Sequence, residues 1–311
     1  MEIVWILLGV LAGIVGVILL AAFVCFMLAF YAPKRRPIGK NEYPIPPGNI
    51  YLIHRDRMVA WMKETRAATH TDMSVTSFDG LTLRGKYYEY APGAPVELMI
   101  HGYRGTAERD LCGGVQRAFA LGHNVLTVDQ RASGFSDGHI ITFGIRESRD
   151  CLTWIEHIRA TFGNETKIYL TGISMGAATV LTAIGRGLPD NVCGVLADCG
   201  YSTSRDIIKK VIRQLHLPAA LLYPLVRLGA RLYGGFNPEE ISPLDAMKQC
   251  RIPVIFFHGD ADDYVPCDMS RENYETCTAE KRLVIVPGAG HGLAYLVDPS
   301  TYIEALRDFW I

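Results

Sequence analysis

Residues 172–176 read Gly-Ile-Ser-Met-Gly, one residue after the β-rich run 167–170 and directly before the small-residue stretch 177–181. This is G-x-S-x-G between a strand and a helix. Such a sharp turn strains the backbone, needs small flanking residues, and holds a serine oxygen exposed over a helix N-terminus. A serine hydroxyl is a weak nucleophile until a base takes its proton, and imidazole suits that task at neutral pH. On this strand order an acid and then a histidine should follow Ser174. Of nine histidines only His216, His258 and His291 do so, and the run 258–266 places carboxylates at positions 260, 262 and 263. Only His291 lies beyond those carboxylates, in a Gly-rich loop after the last strand expected. Chain order therefore selects Ser174 and His291 and leaves the acid open.

These groups need a scaffold that gathers distant loops at one edge. The short apolar runs at 96–100, 125–128, 168–170, 192–197, 254–257 and 283–286 lack polar alternation, as expected of strands covered by helices on both faces. Helices are expected near 108–121, 147–162, 175–186, 269–278 and 299–310. A hairpin is expected from 73–78 and 81–90 around Asp79-Gly80, a pair that tolerates positive φ. The alternation predicts an α/β fold with a mostly parallel central sheet, whose chemistry sits beyond the carboxyl ends of the strands. More than fifty residues separate Asp198 from Ile252. This interval is too long for a plain connection and reads as a helical cap insertion at about 201–245, divided into short pieces by Pro218 and Pro224.

From Ile3 to Pro33 no residue is charged. About 20 apolar residues suffice to cross a bilayer core as a helix, so residues 1–33 read as one transmembrane anchor. The run is too long, and its start too acidic, for a cleavable signal peptide. The flank Lys34, Arg35, Arg36 predicts a single-pass protein of the cell membrane with its body in the cytoplasm. Residues 34–50, basic and then Pro-rich, are expected to be a stiff linker ahead of a folded domain at 51–311.

The 311 residues are 49% hydrophobic and 20% charged, with 31 Lys+Arg against 32 Asp+Glu. That composition disfavours disorder, and the missing basic surplus disfavours nucleic-acid binding. The eight cysteines form no CxxC pair or metal-ligand spacing, and no nucleotide-binding glycine motif is present, so neither a metal nor a cofactor is expected. His101 and His258 read as loop braces, and Arg131 with Asp129 as a structural pair below the site.

From about residue 73 onward the chain resembles serine hydrolases of the α/β-hydrolase superfamily. It is similar to membrane-anchored bacterial members of the dienelactone-hydrolase, prolyl-oligopeptidase and monoglyceride-lipase-like group. The resemblance rests on His101-Gly102-Tyr103, on Asp129 through Ser136, on the Ser174 turn, on the run 258–266 and on Gly290-His291-Gly292. Ser133 stands where many relatives carry histidine. The resemblance implies Ser174 as nucleophile, Asp262 as acid through the pattern H-G-x-x-D-x-x-V-P, and His291 as base. It also implies the backbone amides of Tyr103 and Met175 as an oxyanion hole, with Asp263 the competitor to Asp262. The activity implied is hydrolysis of carboxylic esters, with lipid-derived or acylglycerol esters suggested by an apolar cap beside a membrane anchor. Hydrolysis of short peptides and a non-catalytic tethered scaffold are the alternatives.

Overall fold

The computed structural model describes residues 1–34 and 38–310. Arg35 and Arg36, used above for orientation, and Pro37 of the expected linker lie outside the described residues. Eight strands form one sheet: β1 Thr71–Thr76, β2 Thr82–Tyr88, β3 Val96–Ile100, β4 Asn124–Asp129, β5 Ile168–Ile173, β6 Val192–Asp198, β7 Val254–Gly259 and β8 Lys281–Val286. Their order is β1-β2-β4-β3-β5-β6-β7-β8. Strand β2 runs antiparallel to β1 and β4, and the remaining pairs are parallel. The hairpin turns where Gly80 adopts φ 87, as the Asp79-Gly80 signal anticipates. Strands β3 and β7 are buried along their whole length, the physical reason that their sequences show no alternation.

The chain carries thirteen helices among the described residues. We number them α1 Glu2–Ala29, α2 Asn49–Leu52, α3 Arg55–Ala67, α4 Ala107–Asp110, α5 Gly114–Ala120, α6 Glu147–Phe162, α7 Met175–Ile184, α8 Ser204–Gln214, α9 Ala219–Leu232, α10 Pro243–Met247, α11 Cys267–Thr276, α12 Ala294–Val297 and α13 Pro299–Trp310. The single helix expected at 108–121 is two, because Gly113 takes φ 83 beneath the Trp61 ring and breaks the ladder. Helices α2 and α3 were not anticipated. Helix α3 buries Met58 and Met62, one turn apart, on a stripe whose polar neighbours mask it.

Between β6 and β7 the insertion is helical, but Pro224 does not divide it. Helix α9 runs unbroken through that proline. A proline inside a helix costs about 3 kcal/mol in exposed settings. Here α9 is held by packing against α1, and α8 is separated from α9 by residues 215–218, where His216 takes φ 58 ahead of Pro218. Arg131 also departs from expectation, since its guanidinium grips Asp150 and Asp79 rather than Asp129. Asp129 instead accepts the amides of Ala107 and Phe135, tying the loops after β3 and β4 together.

Helix α1 has two parts. It is the one helix among the described residues long and apolar enough to cross a membrane. Its 28 residues span about 42 Å at 1.5 Å per residue, roughly 12 Å more than a hydrocarbon core needs. The excess is used in packing. Ala22, Phe26 and Phe30 are buried against the α9 face that carries Val226, Gly229 and Ala230. Phe30 is fully covered, with Phe143 and Phe236 edge-on at 5.7 and 5.1 Å. A Cβ at Gly229 would collide with the carbonyl oxygen of Ala22, so glycine permits this approach.

Candidate active site

The turn between β5 and α7 holds Ser174 at φ 57, ψ −119, a conformation that L-residues adopt rarely and only under constraint. The two flanking glycines permit it. A Cβ at Gly172 would strike the Gly176 carbonyl, and one at Gly176 would strike the carbonyl of Ile100 on β3. The Ser174 amide donates to the Asp198 carbonyl at the end of β6 (2.8 Å), locking the turn to the neighbouring strand.

Three loops converge on this serine. Its Oγ lies 2.9 Å from His291 Nε2, and His291 Nδ1 lies 2.7 Å from Asp262 Oδ2. The sequence-selected serine and histidine, 117 positions apart, are thus brought together. The carboxylate beside the ring is that of Asp262. Asp263 is exposed, and its backbone carbonyl accepts from Lys210 and from Gln214.

Asp262 is braced on both oxygens. Oδ1 accepts the amides of Tyr264 (2.9 Å) and Val265 (2.8 Å), and His258 Nε2 stands 3.2 Å from Oδ2. Burial acts to raise its pKa. The hydrogen bonds from His258, His291 and the Val265 amide outweigh burial and hold the carboxyl well below the usual range. An ionised carboxylate only accepts hydrogen bonds, so it fixes the His291 proton on Nδ1 and leaves the Nε2 lone pair facing the serine. His258 is the brace that the sequence suggested, but it bears directly on the acid. His101 braces as well: its Nδ1 donates to the Gly102 carbonyl (2.8 Å) while Nε2 accepts the Gln130 amide (3.0 Å).

The loop after β3 approaches from the other side. A Cβ at Gly102 would stand 3.4 Å from Ser174 Cβ, and Tyr103 lines the same cavity as Ser174 and His291. Met175 is the first residue of α7, where backbone amides have no intrahelical acceptor. Both positions named for oxyanion binding therefore flank the serine.

The cavity encloses about 640 Å³, a volume suited to a small organic ligand. Met58, Leu111, Ile173, Leu293 and Leu296 give it apolar walls. Pro46 to Tyr51 form a further wall, so the segment expected to be a linker belongs to the site. The Tyr51 hydroxyl donates to the His291 carbonyl (2.9 Å). Sequence reasoning missed this residue, and no local signal marks a contact that spans 240 positions. Among the described residues one trio of potential metal ligands occurs, Cys199, Asp262 and His291. Two of the three are engaged with each other, and burial pushes the Cys199 thiol well up, which keeps it neutral.

The sheet order, the strained serine turn and the cap insertion after β6 define the α/β-hydrolase fold, and the chain has that fold. The family described as "alpha/beta hydrolase fold" matches residues 96–232. An esterase of Pyrococcus furiosus, Pf2001, superposes with a TM-score of 0.65 at 21% identity, over 89% of this chain and 98% of that one. Among sequence relatives, the uncharacterized protein YqkD of Bacillus subtilis is 30% identical over 190 residues, 61% of this chain and 62% of its own length. The match therefore spans less than two thirds of that relative. The uncharacterized protein YfhR of Escherichia coli is 27% identical over 298 residues, 92% of each chain.

Proposed function

We propose that this protein is a membrane-anchored serine hydrolase that cleaves carboxylic esters through Ser174, His291 and Asp262. The observation that carries the reading is the continuous chain from Ser174 Oγ through the His291 ring to the Asp262 carboxylate, at 2.9 and 2.7 Å, in the wall of a largely apolar cavity. His291 Nε2 takes the serine proton as Oγ attacks the ester carbonyl. The amides of Tyr103 and Met175 receive the developing oxyanion. Collapse expels the alcohol, which takes the proton back from His291 and leaves an acyl-enzyme. Water, deprotonated by the same ring, then releases the acid. Asp262 orients the imidazole and stabilises it when charged.

The cavity walls and the anchor favour lipid-derived esters such as acylglycerols, since a site held at the bilayer meets them at high local concentration. The basic flank after α1 favours a cytoplasmic body. The structural neighbour Pf2001 is an esterase by name, in keeping with ester cleavage. Incubation of the full-length protein with a fluorophosphonate probe tests the reading: wild type labels covalently, and Ser174→Ala does not. Absence of labelling in wild type, or equal labelling of both, refutes it. A panel of acylglycerols, short-chain esters and aminoacyl amides then ranks the substrates.

A further inference from the structure

We propose that the C-terminal end of α1 is a positioning element of the active site, holding the Tyr103 backbone amide in place for catalysis. This rests on the reading of that amide as an oxyanion donor. The last carbonyls of any helix lack intrahelical partners. At the end of α1 two of them, those of Leu28 and Ala29, are taken by the loop after β3. The Tyr103 hydroxyl donates to the Ala29 carbonyl (2.8 Å), and the Arg104 guanidinium donates to the carbonyls of Leu28 and Tyr31 (2.9 Å each). A cation at a helix C-terminus is also favoured by the helix dipole.

The same two residues carry the strain and the packing of the loop. Arg104 sits at φ 51, so its backbone is held in a left-handed conformation that a free loop would leave. The Tyr103 ring packs on Phe143 at 5.1 Å, and Phe143 packs in turn on Phe30 of the α1 terminus. Anchor, aromatic contacts and oxyanion loop thus form one packed unit, with α9 clamping α1 from the far side through Gly229. The anchor acts on turnover as well as on location.

The test uses the full-length protein in lipid nanodiscs and a small soluble ester, so that substrate delivery by the membrane plays no part. Arg104→Ala removes two of the caps, Tyr103→Phe removes one hydroxyl, and Gly229→Leu dislodges α1 at a distance from the serine. A misplacement of about 1 Å costs up to roughly 100-fold in rate. Arg104→Ala and Gly229→Leu should therefore lower kcat by about tenfold or more with KM changed less than about threefold. Affinity for a trifluoromethyl ketone, which mimics the oxyanion, should fall in parallel. Arg104→Lys should recover most of the rate, and Leu221→Ser, on the exposed side of α9, should leave it unchanged. Wild-type turnover with all variants within twofold of it, or losses confined to KM, overturns the proposal and leaves the hydrolase reading intact. An inactive, unlabelled wild type overturns the hydrolase reading itself. If Gly229→Leu unfolds by circular dichroism, Arg104→Ala and Tyr103→Phe decide alone.

Discussion

The two sides of the serine are held in different ways. On the acid side, three braces on Asp262 come from within four residues, the amides of Tyr264 and Val265 and the His258 ring, and the fourth is the His291 ring, itself held by Tyr51. On the oxyanion side, Gly102 is fixed locally, its amide by Asp110 and its carbonyl by His101. The next two residues depend on α1, more than seventy positions away. The acid side is redundant and mostly local, whereas Tyr103 and Arg104 on the other side are held by the docking of α1. On the proposed reading, one fold keeps its general base assembled while leaving its electrostatic stabiliser answerable to the N-terminal apolar helix.

The largest expected effect tests whether the acid side is centred on Asp262. Asp262→Asn should lower kcat by about 10⁴-fold, because the amide favours the wrong imidazole tautomer. Asp263→Asn should stay within about twofold in the same ester assay. A reversal would move the acid to the exposed neighbour and undo the comparison.

A second prediction contrasts Asp262 with another buried carboxyl at the same sheet edge. Asp198 has one side-chain donor, the Tyr302 hydroxyl at 2.9 Å, and burial pushes its pKa up to about 6. A raised folded-state pKa means that full stability is present below the unfolded value near 4 and is lost as pH rises through about 6. Asp198→Asn keeps an oxygen for Tyr302 and removes that loss. Its melting temperature should exceed that of wild type at pH 8, by an amount worth at most about 3 kcal/mol, with the advantage gone at pH 4. Asp262 has the opposite sign: its depressed pKa contributes stability above pH 4 that is lost only on further acidification.

The smallest effect measures redundancy directly. Tyr51→Phe removes one hydrogen bond to the His291 backbone, worth about 1 kcal/mol, while the Asp262 contact remains. Turnover should fall by less than about fivefold. A drop as large as that from Arg104→Ala would mean that both sides of the serine depend equally on distant segments.

How much of this was legible beforehand varies by element. The buried strands declared themselves as unbroken apolar runs, and Ser174 as a serine between glycines at a strand end, because both signals are local. His291 followed from chain order, being the one histidine beyond the carboxylates of the run 258–266. Asp262 came from a resemblance in motif, since three carboxylates crowd positions 260–263 and only the turn geometry separates them. Helix α3 was hidden by its polar neighbours, the split at Gly113 by the helical pattern around it, and the persistence of α9 through Pro224 by the absence of any sequence sign of its partner.

What the sequence determined by itself was therefore short in range: hydrophobic period, turn chemistry, and the length of an apolar segment sufficient to cross a bilayer. The tertiary structure alone decided that the last turns of that segment would pack on α9 and offer their end carbonyls to the loop beside the serine, and that Pro46 to Tyr51 would wall the cavity. The physical reason is that unpaired helix-end carbonyls and exposed aromatic faces specify a need but not a partner, and the partner is chosen only when the sheet brings remote chain into reach.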